Sequence, residues 1–139
     1  MLPIEKPNFD VTPAGAPEIF RPAVDLAVLA SYEGLQLDGE PDLIVELIDL
    51  YLEDAPRRVA VMRESATKKN WLSLKREAHS LRGSSGNLGA LQMPLICDEI
   101  EKIESGDPFP KIEVLLVSLE QELERVLCIF LEERQRRLL

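Results

Sequence analysis

One histidine and two cysteines are all that this 139-residue chain offers to soft-metal or thiol chemistry. The cysteines, Cys97 and Cys128, lie in apolar helical contexts (LICDEI and VLCIFL), without CxxC spacing or a histidine cluster. They are therefore expected to be buried, reduced thiols rather than a disulfide or a zinc site. Aromatic residues make up only 5% of the chain, so the core must come from Leu, Ile, Val and Ala, which suits packed helices. Cations are in the minority: 16 Lys and Arg face 25 Asp and Glu, giving a net charge of -9. That balance argues against nucleic acid and against an anionic membrane surface as partners. No apolar run approaches the ~20 residues that a membrane span requires. The N-terminus, MLPIEKPNFDVTPAGAPEIF, lacks the basic start and apolar stretch of a secretory signal, so a cytoplasmic location is expected. There is no glycine-rich phosphate loop.

What is present is enough for a core. Hydrophobic residues make up 45% and charged residues 29%, a soluble globular profile that fits one domain with an extension. Residues 1–22 hold five of the ten prolines (Pro3, Pro7, Pro13, Pro17 and Pro22) and read as an irregular arm. Residues 23–139 read as a helical domain. Asp25 caps a short first helix that ends near Gly34. After the Asp38–Pro41 break, Leu43, Ile44, Leu47, Ile48, Tyr51 and Leu52 recur at helical spacing. Pro56 either kinks this helix or opens the next, which carries Val59, Met62 and Ala66 to Lys68-Lys69-Asn70. A further helix starts near Trp71 and runs through the histidine, with a break at Gly89 and Pro94. Leu95, Ile96, Ile100 and Ile103 mark another, closed by Ser105–Pro108. The last runs from about Lys111 into the 130s. The fold class is all-α: an antiparallel four-helix bundle with a short additional N-terminal helix and a proline-rich arm. The charged stretches EQELER (120–125) and ERQRR (133–137) read as solvated strips with local pairing. Tyr32, Tyr51 and Trp71 read as core or rim.

The lone histidine, His79, stands in AHSLRGSSGNLGA. At about 100° per residue, Leu74, Leu81 and Leu88 fall within roughly 40° of one another, with Ala78 and Ser85 beside them. That stripe faces the core. His79 lies about 160° from Leu81, on the outer face with Lys75, Arg76, Arg82, Gly83 and Gly86. A lone histidine is ordinarily structural, but this phase points it away from the core. Two mid-helix glycines each cost about 1 kcal/mol relative to Ala, which is tolerated where space is needed. Near neutral pH, imidazole is a good nucleophile. No triad is visible for attack on a carbonyl. Attack on a phosphoryl group needs chiefly alignment and charge neutralisation. Arg82, one turn on, could meet phosphoryl oxygens; Lys75 and Arg76 could draw in an acidic partner; Gly83 and Gly86 would admit its backbone.

This run resembles the histidine-containing phosphotransfer (HPt) family of two-component phosphorelays: Ala-His, an apolar residue, a basic residue, Gly-Ser, then Leu-Gly. EPDLIVELIDLYLEDAPRRVAVMRES and NWLSLKREAHSL look like that family's helices leading into the histidine, and LICDEIEKIESG looks like the helix after it. The likeness spans roughly residues 25–130. It implies a four-helix bundle whose exposed His79 is phosphorylated by the aspartyl phosphate of one receiver domain and passes the group to another. By position Arg82 is the basic residue near the phosphate, where the family more often has Lys. Arg keeps the charge and changes the donor geometry. Gly83 matches the small residue beside the histidine, and Ser84 a small polar residue able to hydrogen-bond locally. The resemblance implies a phosphocarrier without kinase activity of its own, a monomer. Its partners would be receiver domains of response regulators and hybrid histidine kinases. The chain itself would bind no metal, and Mg²⁺ would sit in the partner receiver's acidic pocket. The alternative is a module that keeps this fold and sequesters a receiver or kinase without transfer. A hydrolase that merely resembles the family would need a second catalytic group, and none is visible.

Overall fold

A computed structural model describes residues 21–139. Five α-helices carry the chain: α1 (Leu26–Ala30), α2 (Leu43–Thr67), α3 (Trp71–Asn87), α4 (Met93–Glu101) and α5 (Phe109–Leu138). A 3-10 turn, Ser31–Leu35, continues α1. Each of the first three helices starts where a short polar side chain satisfies free backbone N–H groups. Asp25 Oδ1 accepts from Ala27 N at 3.0 Å, Asp42 Oδ1 from Ile44 N at 2.9 Å, and Asn70 from Ser73 N at 3.1 Å. In α4 and α5 a proline occupies the first turn, where its missing N–H costs nothing.

Helices α2 to α5 form the bundle. α2 packs on α3, α3 on α4, α4 on α5 and α5 back on α2, with short connections between successive antiparallel helices. The centre is aliphatic: Ile44, Ile48, Met62, Leu74, Leu81, Met93, Ile100 and Leu116 are buried, with Phe130 edge-on to Tyr51 at 5.3 Å. Tyr51 and Ser85 share a buried 2.7 Å hydrogen bond, which satisfies the two polar groups on an otherwise apolar seam. Burial pushes the Tyr51 phenol above its usual range.

Pro56 does not open a new helix. α2 continues through it as one helix of 25 residues. The buried stripe keeps its phase across the proline, with Ile48, Tyr51 and Ala55 before it and Val59, Met62 and Ala66 after it. Continuous burial of that stripe outweighs the one backbone hydrogen bond that proline removes.

The charged strips also differ from the sequence expectation. Glu122 is buried, and Glu120 reaches across to Arg63 of α2 at 2.7 Å, with Glu113 on the same guanidinium. Glu133 is buried beside Arg136 and Arg137. Arg137 is only 11% exposed and reaches Glu33 at 2.9 Å, tying the end of α5 to the 3-10 turn. Both cysteines are free, but Cys128 is exposed, because its position on α5 turns outward; only Cys97 is buried. Burial, with help from the Glu101 charge, pushes the Cys97 thiol up to about 12.

Residues 1–20 of the proline-rich arm lie outside the described residues. Its last two residues touch the bundle: Gln92 Nε2 donates to Pro22 O at 3.3 Å, and Arg125 to Arg21 O. Val24 and Ala90 form an isolated antiparallel bridge. Among the described residues no helix is long and apolar enough to cross a membrane.

Candidate functional site

The site lies on the outer face of α3. Leu74, Ala78, Leu81 and Ser85 are its buried residues, as the helical phase requires, and His79 stands opposite with its side chain 66% exposed. Leu72, Arg76, His79 and Gly83 follow one another along this face at spacings of four, three and four. Leu72 is exposed, which gives the face an apolar spot beside its charges.

The ring is not surrounded by cations alone. Asp98 and Glu101, three residues apart on α4, meet His79 and Arg82, three residues apart on α3. His79 Nδ1 lies 3.1 Å from Glu101 Oε1 and 3.1 Å from Arg82 Nη2. Arg82 Nε approaches Glu101 Oε2 at 3.0 Å, and Nη1 lies 3.6 Å from Asp98 Oδ1. The Glu101 Oε2 contact is ionic rather than a hydrogen bond, since that buried oxygen has no aligned donor. The strongly basic outward face expected from the sequence is thus corrected: α4 brings two carboxylates to it. The sequence signal was the Asp98/Glu101 spacing, but only packing of α4 on α3 aims it at the ring.

The other expected site residues fall in three groups. Lys75 is half-buried and its charge reaches Asp107, helping to hold that carboxyl below its usual range after the Glu104 N–H and Lys111. Arg76 is exposed. Gly83 is exposed, and a Cβ built there meets nothing within 4 Å, so the space in front of it is open. Gly86 is different, since a Cβ there would sit 3.6 Å from Pro94 Cγ, and part of its clearance is used by α4. Ser84 Oγ donates back to Leu81 O at 3.3 Å and turns toward α2. There it lines a half-open groove of about 810 Å³ with Tyr32, Leu47, Leu50, Asn87 and Leu88. Tyr32 Oη donates to Asn87 O at 2.8 Å at its end. Among the described residues no group of three or more His, Cys, Asp or Glu could hold a metal ion.

The site thus holds an exposed imidazole beside a carboxylate and an arginine, on a helix face with open space in front of Gly83. A family model described as the Hpt domain matches residues 46–128, which include α3, α4 and most of α2 and α5. The chain belongs to the Hpt domain family. The crystal structure of histidine-containing phosphotransfer protein B from Pseudomonas aeruginosa PAO1 is similar to it, with a TM-score of 0.72 at 28% identity. The similarity covers 83% of this chain and 96% of that one. No curated protein matches. The chain is therefore a phosphotransfer module of a phosphorelay, of a family that interacts with receiver domains.

Proposed function

We propose that His79 accepts a phosphoryl group from the aspartyl phosphate of one receiver domain and passes it to a second receiver. The observation that carries this reading is the exposed His79 ring in the middle of α3, with its Nδ1 3.1 Å from Glu101 Oε1. In the forward step the Nε2 lone pair forms the N–P bond. The P–O bond to the receiver's aspartate breaks, and the carboxylate leaves with its electrons. Onward transfer reverses these roles. Mg²⁺ and its acidic ligands belong to the receiver, and Arg82 adds positive charge beside the ring. The chain has no kinase activity of its own. The test is to incubate the protein with a receiver carrying labelled aspartyl phosphate. Acid-labile, alkali-stable label on this chain supports the reading. Binding without label, across several receivers, replaces it with a sequestering module.

Two further outcomes follow from the face around the ring. Gly83→Gln is expected to raise thermal stability slightly, because glycine in a helix costs about 0.5–1 kcal/mol and the new side chain meets open space. The same variant is expected to slow transfer at least ~10-fold by blocking the receiver's approach, about 1.4 kcal/mol in the barrier. Transfer at the wild-type rate would defeat the close-approach argument. Association with the receiver is expected to slow roughly 2-fold to 10-fold as salt rises past physiological strength, where the Debye length is about 8 Å. Stopped-flow association rates independent of salt would remove Arg76, the exposed cation of this face, from the steering role.

A further inference from the structure

We infer that the outer face of α5 pairs, antiparallel, with the same face of a second copy of this chain. The result is a weak two-fold dimer rather than the monomer that the resemblance implies.

α3 and α5 occupy opposite corners of the bundle, since α2 and α4 each pack against both. The exposed side of α5 therefore lies away from His79. Along it, positions 114, 117, 121, 124, 128, 131, 135 and 138 are all exposed and follow one another at steps of three and four. Any amphipathic helix has such an outer row, and its ordinary content is charged or polar. The outer row of α2 is of that kind, with Glu46, Asp49, Glu53, Arg57 and Glu64. In α5 the row instead holds Val114, Val117, Cys128, Leu131 and Leu138, with Val114 65% and Leu131 53% exposed. Apolar residues scattered singly over a surface are normal, but these keep one phase along the helix. That phase is the seam through which two helices interlock.

The order of residues along the seam selects the occupant and its direction. The apolar positions form two groups, one on each side of Gln121 and Glu124. A two-fold axis between those two residues lays each group on the other: Val114 comes opposite Leu131 of the second copy, and Val117 opposite Cys128. Gln121 then meets Glu124 of the second copy, and its amide can donate to that carboxylate. The flanking charges agree with this register, because Lys111 comes opposite Glu132 and Glu113 opposite Arg134, each pair occurring twice. A parallel pair in register would instead set Glu124 against Glu124 and gather the C-terminal arginines of both copies at one end. Lys111, Glu113 and Arg134 already pair within the chain, with Asp107, Arg63 and Asp49. The rim charges therefore choose the orientation and add little affinity. The seam is roughly 36 Å long and one helix wide. It is narrower than interfaces of standard size, so dissociation constants on the order of 10–100 µM are expected. Both His79 faces stay on the outside of such a dimer, so one dimer can hold two receivers.

Sedimentation velocity of the full chain under reducing conditions, from about 5 to 500 µM, reads the equilibrium. Wild type and the control Ala60→Glu, on the charged row of α2, are expected to dimerise as concentration rises. Leu131→Glu is expected to weaken association at least ~10-fold, with circular dichroism confirming that it is folded. Lys111→Glu should weaken the dimer, and Lys111→Glu combined with Glu132→Lys should restore it, a rescue particular to the antiparallel register. In air, Val117→Cys should form an intermolecular disulfide with Cys128 of the second copy faster than wild type forms any. A wild type that stays monomeric throughout would overturn the inference and leave the stripe to an unrelated partner. So would a dimer indifferent to Leu131→Glu, or an absent charge rescue. Wild type cross-linking through Cys128 as readily as Val117→Cys would replace the antiparallel pair with a parallel one.

Discussion

Replacing His79 with glutamine is expected to abolish phosphoryl uptake while leaving the fold intact. The side chain is 66% exposed and packs into no core, so its loss should change stability by no more than about 0.5 kcal/mol. Glutamine is polar, of similar reach and suited to a helix. Its amide nitrogen has no lone pair free for attack on phosphorus. No second histidine exists in the chain to substitute. Cys97 is no rescue, because it is buried and its thiol is pushed up to about 12. The measurement pairs two readouts: label transferred from a phosphorylated receiver, and receiver affinity by titration calorimetry. Label absent with affinity retained is the expected result. Acid-labile label of wild-type extent on His79→Gln would mean that His79 is not the acceptor.

Gly89→Ala is expected to be the most damaging glycine-to-alanine change among the described residues. Gly89 sits at φ +97, a conformation that side-chain-bearing residues rarely adopt. A Cβ there would lie 2.5 Å from the Asp25 carbonyl oxygen and 3.1 Å from Val28 Cβ. The carbonyl cannot yield easily. Asp25 N donates to Gly89 O at 2.8 Å, and the Asp25 carboxylate caps α1. On the same seam Leu91 N donates to Ala23 O at 2.9 Å. Backbone strain of about 1–2 kcal/mol and overpacking of about 1–3 kcal/mol together give roughly 2–5 kcal/mol. Calorimetric or circular-dichroism melting measures this, and a midpoint within a degree of wild type would refute it. The contrast with Gly83 is instructive: one glycine is needed by the fold, the other leaves room in front of the reactive ring. The sequence marks Gly89 as a break and Gly83 as a mid-helix residue, and the neighbours of the absent Cβ show how differently the two positions tolerate a side chain.

Much of the site was legible because α3 is regular. Given 100° per residue, the burial of Leu74, Leu81 and Ser85 dictates that His79, Arg76 and Gly83 face outward, and the structure places them so. The break at Gly89 was readable from local backbone chemistry. The unbroken passage of α2 through Pro56 was also in the sequence, in the constant phase of the buried stripe, but the proline's local penalty masks it.

Local pattern, then, determined by itself the helices, their apolar faces and the outward aim of the histidine, because each depends on residues within a turn or two. Tertiary structure alone decided what meets the ring. Glu101 is 22 residues from His79 and on another helix, and its approach depends on how α4 packs against α3. The same holds for Arg63 with Glu113 and Glu120, and for Arg137 with Glu33. Charges that look solvated along one helix become paired or buried when a second helix arrives. Such pairing is a property of helix packing, and no period of 3.6 residues carries it.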